Sequence, residues 1–406
     1  MIFMNPKATR RRYDAQMRGL LSIEHCLEAR LRLSSWNLLS MPTPLRSLPG
    51  LAASLRIGSL SVKDESERSF LGSFKALGAP NALIRLVNRR WPDRGWQAAD
   101  LFSGMHAGTL EHFTVISATD GNHGRALAAA SQSIGCKCVI VLHANVSVER
   151  EQAIAAFGAD IRRIPGNYDD SVSEAARLAM ENGWEVVSDT SYEGYEEVPR
   201  DVMQGYGVIA HELVEAGGGA ECPWTHVFLQ GGVGGLAAGL ISYLWETYGA
   251  GRPIFVVVEP EQADCLLQSA IAQRPSRSRG SIDSVMAGLA CGEASPLAWQ
   301  VLQDSVDVFM TAPDAGAKRA MQMLASGFEG DIPIVAGESG VAGVAALELL
   351  AADPELRKSV ALGPQARVLL ISTEGATAPG VYSEITGYTA DAVYAAQQQW
   401  LAQHQR

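Results

Sequence analysis

The chain has 406 residues, 47% of them hydrophobic and 19% charged, which supplies core material for two domains or one large α/β unit with an inserted subdomain. Its formal net charge of −11 argues against nucleic acid or an anionic membrane as the main partner. An anionic ligand must therefore be held locally, by backbone amides or a few placed cations.

The segment before residue 50 is basic at Arg10, Arg11 and Arg12, then proline-rich at Pro42, Pro44 and Pro49, and reads as an arm wrapping the body. No apolar run and small-residue cleavage site follow the arginines, so a cytoplasmic location is expected. Ser59 to Lys63 is a short strand, and Pro80 to Arg90 an amphipathic helix with proline in its first turn. Thr114 to Ala118 is a strand running into a glycine turn at Gly121, with a helix from Gly124 to Ile134. Lys137 to Leu142 is a buried β-branched strand, Val148 to Phe157 a helix stopped by Gly158, and Asp160 to Ile164 the next strand. Ser171 to Asn182 is a helix with Gly183 placed as its C-cap, followed by a strand from Trp184 to Ser188. This alternation implies a parallel sheet with crossover helices.

A helix from Tyr206 leads to the bend at Gly217 to Gly219. Thr225 to Leu229, Ile254 to Glu259 and Arg367 to Ser372 form strands of a second sheet, with helices at Leu236 to Tyr248, Ala315 to Ser326 and Val341 to Ala352. Pro275 to Ser281 is a Ser/Arg-rich surface loop, and Asp391 to His404 a polar helix. The most apolar window, Val227 to Trp245, is broken by glycines at 231, 232, 234, 235 and 239, so it is strand, turn and helix and not a membrane span. The six cysteines show no CxxC pair and no metal-ligand spacing, so no metal is expected. Cys265 and Cys291 flank the Ser/Arg-rich segment, but a cytosolic location disfavours a disulfide between them.

Three segments carry chemistry. Ser69-Phe70-Leu71-Gly72-Ser73-Phe74-Lys75-Ala76-Leu77-Gly78 sets one lysine in an apolar, glycine-flanked stretch. Desolvation there lowers the lysine pKa and favours the neutral amine, the form that attacks an aldehyde such as that of pyridoxal phosphate. Gly231-Gly232-Val233-Gly234-Gly235 follows a strand and opens a helix, making a phosphate cradle of backbone amides without lysine or arginine. Lacking Gly-Lys-Ser/Thr it is no nucleotide P-loop, although a dinucleotide fold shares its opening. Thr119-Asp120-Gly121-Asn122-His123-Gly124 again points amides at an anion, and Asn122 offers a donor to the 3′ oxygen of a pyridoxal ring. Asp120 near an anion-binding turn needs a task of its own, unless it merely caps a helix. Asp189 lies at the carboxyl edge of its sheet, where ligands of open α/β sheets gather. Glu338-Ser339-Gly340 and Ile371-Ser372-Thr373-Glu374-Gly375 sit at element ends facing the same crevice.

Taken in order, these segments resemble the tryptophan-synthase-β-like, fold type II pyridoxal phosphate enzymes. Ser73-Phe74-Lys75-Ala76-Leu77-Gly78, Ala118-Thr119-Asp120-Gly121-Asn122-His123-Gly124-Arg125 and Asp189-Thr190-Ser191-Tyr192-Glu193-Gly194-Tyr195 look like the diaminopropionate ammonia-lyase family. The resemblance implies two open, twisted, parallel-rich sheets with flanking helices, and an active site in the cleft between a large domain (1–90 and 190–406) and a small one (91–189). It further implies pyridoxal 5′-phosphate as cofactor and elimination of ammonia from D- and L-2,3-diaminopropionate, giving pyruvate and a second ammonia. Lys75, Asn122, Gly231, Gly232, Val233, Gly234, Gly235 and Ser372 or Thr373 would bind the cofactor. Lys75, Asp120 and Asp189 would be catalytic, with Ser117, Thr119, Asp120, Asp189 and Tyr195 meeting the amino-acid substrate. Lys75 suits proton removal from the L isomer and Asp120, from the opposite wall, from the D isomer, while Asp189 would hold the distal ammonium. A homodimer follows from the same resemblance.

The competing readings are a serine/threonine dehydratase, a NAD-binding oxidoreductase built on the Gly231 turn with Glu259 ending the next strand, and a non-catalytic pyridoxal phosphate carrier. The dehydratase needs no acid opposite the lysine. The oxidoreductase leaves the Lys75 and Asn122 segments without a role.

Overall fold

A computed structural model describes residues 1–36, 41–119 and 121–404. Its larger sheet has seven strands in the order β1-β10-β9-β8-β11-β3-β2. These are β1 (Ile2–Met4), β2 (Leu45–Ser47), β3 (Ser59–Asp64), β8 (His226–Gln230), β9 (Ile254–Pro260), β10 (Val308–Ala312) and β11 (Arg367–Ser372). The five inner strands run parallel, and the short β1 and β2 close the two edges antiparallel. The smaller sheet is all parallel, β6-β5-β4-β7, from β4 (Thr114–Ala118), β5 (Lys137–Leu142), β6 (Asp160–Arg163) and β7 (Glu185–Val186). Side chains on β4, β8 and β10 are buried throughout, as crossover helices on both faces require.

The arm expected before residue 50 is partly built into the body. It supplies both edge strands and the helix Ile23–Ser34, which the Ser22 hydroxyl caps. The lysine helix starts earlier than expected, at Lys75, with Pro80 inside it. The helix expected from Tyr206 spans Glu197–Gly217, and these two pack with Gly235–Tyr248 through glycines. A Cβ on Gly78 would stand 2.5 Å from the Tyr206 ring, and one on Gly239 would stand 2.6 Å from the Met203 carbonyl oxygen. Only hydrogen on those carbons lets the three backbones approach. No helix among the described residues is long and apolar enough to cross a membrane. No cluster of metal-ligating residues appears among them either.

Beneath the lysine loop lies a buried ion network. Arg68 donates to Glu65 at 2.8 and 2.9 Å and to Glu212 at 2.7 and 2.8 Å, and Lys63 adds a bond to Glu212 at 2.5 Å. Removing one partner would strand a buried charge at a cost of about 3–5 kcal/mol, so the network fixes where the chain leaves β3 for Lys75.

Candidate active site

Both sheets end on one cleft, lined by Lys75, Thr119, Asp189, Thr373 and the glycine turn after β8. Lys75 opens its helix on the cleft wall. Its loop is tied to the end of β11 by Phe74 N–H to the Thr373 carbonyl (3.1 Å) and Gly375 N–H to the Gly72 carbonyl (2.9 Å). From the smaller sheet, Asp189 follows β7 and accepts a hydrogen bond from Lys75 Nζ. It also accepts one from the Tyr168 hydroxyl at 3.3 Å.

That pair corrects the expectation of a neutral amine. Burial is the strongest single influence and pushes Lys75 down, but the Asp189 charge and hydrogen bond, with Tyr206, together overcome it and hold the ammonium above its ordinary range. Burial likewise pushes Asp189 up most strongly, and the Lys75 charge, joined by His123 and the hydrogen bonds from Lys75 and Tyr168, overcomes it to leave the carboxylate well below its usual value. The sequence showed desolvation; it did not show that the desolvated site contains a counter-ion.

The glycine turn after β8 crosses the cleft floor. Gly231 N–H donates to the Val258 carbonyl (2.8 Å) and Gly234 N–H to the Gly231 carbonyl (3.1 Å). The amides of Gly232, Val233 and Gly235, all on the cleft wall, have no backbone partner among the described residues. Gly232 and Gly234 have φ of 60° and 98°, a backbone that L side chains rarely adopt. Behind the turn, Glu259 is fully buried and accepts from the Leu266 and Leu267 amides, both at 2.8 Å. It is occupied at the start of the helix Cys265–Ala272 and is not offered to a ribose, which removes the support for a dinucleotide site.

Asn122 begins the helix Asn122–Ile134 on the wall, where its amide donates to Glu374. Thr119 is also on the wall, and its hydroxyl accepts from the Gly121 and Gly124 amides at 3.0 and 3.1 Å. Asp120 lies outside the described residues. Ser117 is fully buried on β4 behind the wall, bonded to the Ala118 carbonyl. Tyr195 also stands back from it, donating to the Val186 carbonyl (2.8 Å) and accepting from Ser188 N–H (3.0 Å). Thr373 lines the cleft, while the Ser372 hydroxyl beside it is 1% exposed and has no hydrogen-bond partner. The structure contains no disulfide between Cys265 and Cys291.

The wall also holds His123, Arg150, Tyr168 and Tyr206, to which the sequence had assigned no role. His123 sat in a quoted segment without a task, and Tyr206 is flanked by Gly205 and Gly207, a sign of close backbone approach. Arg150 donates to Glu338 at 3.4 Å. Burial first, then the Glu374 charge, pushes the Glu338 carboxyl up to about 7.

Residues 37–374 match the family described as pyridoxal-phosphate dependent enzyme. The diaminopropionate ammonia-lyase of Escherichia coli (strain K12) is 37% identical over 351 residues, which cover 85% of this chain and 87% of that protein. The chain belongs to the diaminopropionate ammonia-lyase family. Solved structures of the E. coli enzyme agree across nearly the whole fold. The complex with D-serine matches with a TM-score of 0.85 at 34% identity, covering 98% of both chains. The complex with an aminoacrylate-PLP azomethine reaction intermediate matches at 0.84 and 34%, covering 95% of this chain and 96% of that one.

The cofactor of this family is pyridoxal phosphate, and the residues present fit it. The unpartnered glycine-loop amides match a phosphate and the cleft-wall lysine an aldehyde. The orphaned Ser372 hydroxyl, buried where water cannot satisfy it, matches a ring nitrogen.

Proposed function

We propose that this protein eliminates ammonia from 2,3-diaminopropionate, accepting both isomers, and yields pyruvate and two molecules of ammonia. The observation that carries this reading is the Lys75–Asp189 pair across the cleft. It places an amine beside a carboxylate that stays charged and so can receive a substrate's second ammonium. Family membership supplies the substrate class, since the relatives above carry that name.

Bound pyridoxal phosphate supplies an electron sink that makes the substrate's α proton removable. Lys75 Nζ would hold it covalently, with the amides of Gly232, Val233 and Gly235 on its phosphate, shaped by the turns at Gly231 and Gly234. Asn122 would meet the ring's 3′ oxygen and Ser372 the ring nitrogen, with Thr373 alongside. As a neutral amine, Lys75 would take the α proton of the L isomer. Asp120 would take that of the D isomer, because the two protons lie on opposite faces of Cα and need different bases. Asp189 holds the distal ammonium, which departs as neutral ammonia when its bonding pair leaves Cβ and its own positive charge is quenched. Thr119 contacts the substrate from the wall; Ser117 and Tyr195 have no part in this scheme. The aminoacrylate leaves and is hydrolysed to pyruvate and the second ammonia.

The division into a small domain over 91–189 and a large one over the remainder belongs to the same proposal, as do a homodimer and a cytoplasmic location. The test is stoichiometric. Each isomer of 2,3-diaminopropionate should release two ammonia per pyruvate, and L-serine and D-serine should turn over more slowly. Faster turnover of serine than of either diaminopropionate isomer would favour a dehydratase.

A further inference from the structure

His123 stands on the cleft wall at 2% exposure, in the first turn of the helix Asn122–Ile134. Its Nε2 lies 2.8 Å from the Val187 carbonyl oxygen, which can only accept, so Nε2 carries the ring proton. Its Nδ1 is buried and has no hydrogen-bond partner. That nitrogen lies 4.0 Å from Oδ2 of Asp189, the same oxygen that Lys75 holds. A lone pair thus faces a carboxylate, an arrangement tolerable only while Lys75 neutralises the acid.

We propose that His123 is a positioning residue that takes a proton on Nδ1 when the Lys75 charge leaves Asp189, so that the carboxylate keeps a cationic partner throughout turnover. The inference deepens the proposed function and rests on it for the departure of Lys75. The proton comes from solvent through the cleft, and the product is an imidazolium paired with Asp189; no covalent bond changes. The distance is short enough, because an opposite charge within about 4–6 Å favours the protonated ring by roughly one to three pH units.

The groups acting directly on His123 are Asp189 and Lys75, while the Val187 carbonyl fixes the ring. Arg150, Tyr168, Tyr206, Cys291 and Glu374 are the other ionisable groups on the wall. With Lys75 in place, burial first and then the Lys75 charge hold His123 below its ordinary value, against the pull of Asp189. Removing Lys75 takes away one opposing influence and leaves that pull unshared. The structure therefore ties the charge state of His123 to the whereabouts of a single amine.

The test needs neither cofactor nor catalysis. Histidine-labelled protein is titrated by NMR, with His123→Gln assigning the resonance, since the glutamine amide can still reach the Val187 carbonyl. In Lys75→Ala the His123 pKa should rise by about one unit or more over the native chain. In Lys75→Ala combined with Asp189→Asn it should fall back. An unchanged His123 pKa in Lys75→Ala overturns the proposal, and so does an equal rise in the double variant. Either result can coexist with diaminopropionate turnover, so failure here is distinguishable from failure of the proposed activity. In the cofactor-loaded protein, His123→Gln should also shift the pH at which the visible cofactor band titrates. A superimposable titration counts against the proposal.

Discussion

Lys75 Nζ and Asp189 Oδ2 meet in a hydrogen bond that joins the start of a helix in one part of the chain to the loop after β7 in the other. Each group shifts the other toward its charged form against the effect of burial. The pair therefore stores a cation and an anion side by side, ready to part when the amine is needed elsewhere.

Asp189→Asn should separate the two substrates that share this chemistry. Diaminopropionate carries a second ammonium and serine does not. Loss of the buried carboxylate should lower kcat/KM for diaminopropionate by roughly 10²-fold or more, in keeping with the 2–5 kcal/mol cost of truncating a buried charge pair. Serine turnover should fall much less. Steady-state assays on both substrates check this, and an equal loss on each contradicts a role for Asp189 at the distal amine.

Asp120→Asn should divide the isomers. D-diaminopropionate turnover is expected to drop by roughly 10²-fold or more, the scale of a lost general base, with the L isomer largely spared. Measured kcat values that fall together would show that the two isomers share a base.

Gly231→Ala should loosen the cofactor. Its Cβ would stand 2.5 Å from Glu259 Cγ and 3.2 Å from the Val258 carbonyl oxygen, so the turn must shift and its amides with it. Fluorescence titration with pyridoxal phosphate should show affinity weaker by roughly tenfold or more, since each 1.4 kcal/mol is a factor of ten. Native affinity would mean that the amides at 232, 233 and 235 do not hold the phosphate.

Glu259 gives a pH signature of its own. Burial pushes its carboxyl up from 4.5 to about 8, against the pull of two backbone amides. The folded chain therefore keeps a proton that the unfolded chain has released. Stability is fully present below pH 4.5 and is lost as pH rises through 8. Asp64 and Glu338, each pushed up to about 7, act in the same direction. Glu259→Gln removes one of these contributions, so its denaturant midpoint should decline less steeply between pH 5 and 8 than that of the native chain. Parallel declines would contradict the assignment.

Sequence pattern was most informative where burial on two faces leaves an unbroken apolar run. The strands at Thr114–Ala118, Lys137–Leu142 and Arg367–Ser372 have the bounds their pattern predicts, each built around a buried, largely apolar stretch. The three-residue edges β1 and β2 carry no such run, because they are defined by their partners β10 and β3. The helix starts at Glu197 and Tyr168 were placed too late, the first by nine residues and the second by three. In the second case the signal was local, the Asn167–Asp170 capping box. Lys75, Asn122 and the glycine turn were legible because their neighbours are unusual. Tyr168, Tyr206 and Arg150 were not, because a residue brought to a site by long-range packing bears no mark in its own segment. The Lys75–Asp189 ion pair is the clearest case: two positions 114 residues apart in sequence, each carrying the reason for the other's charge.

The central claim is that the Lys75 amine holds the cofactor. Borohydride treatment of the protein loaded with pyridoxal phosphate, followed by proteolysis and mass analysis, tests it most directly. The account predicts loss of the visible band and one pyridoxyl group on the peptide containing Lys75. A reduced cofactor found on another lysine, or on none, would contradict it.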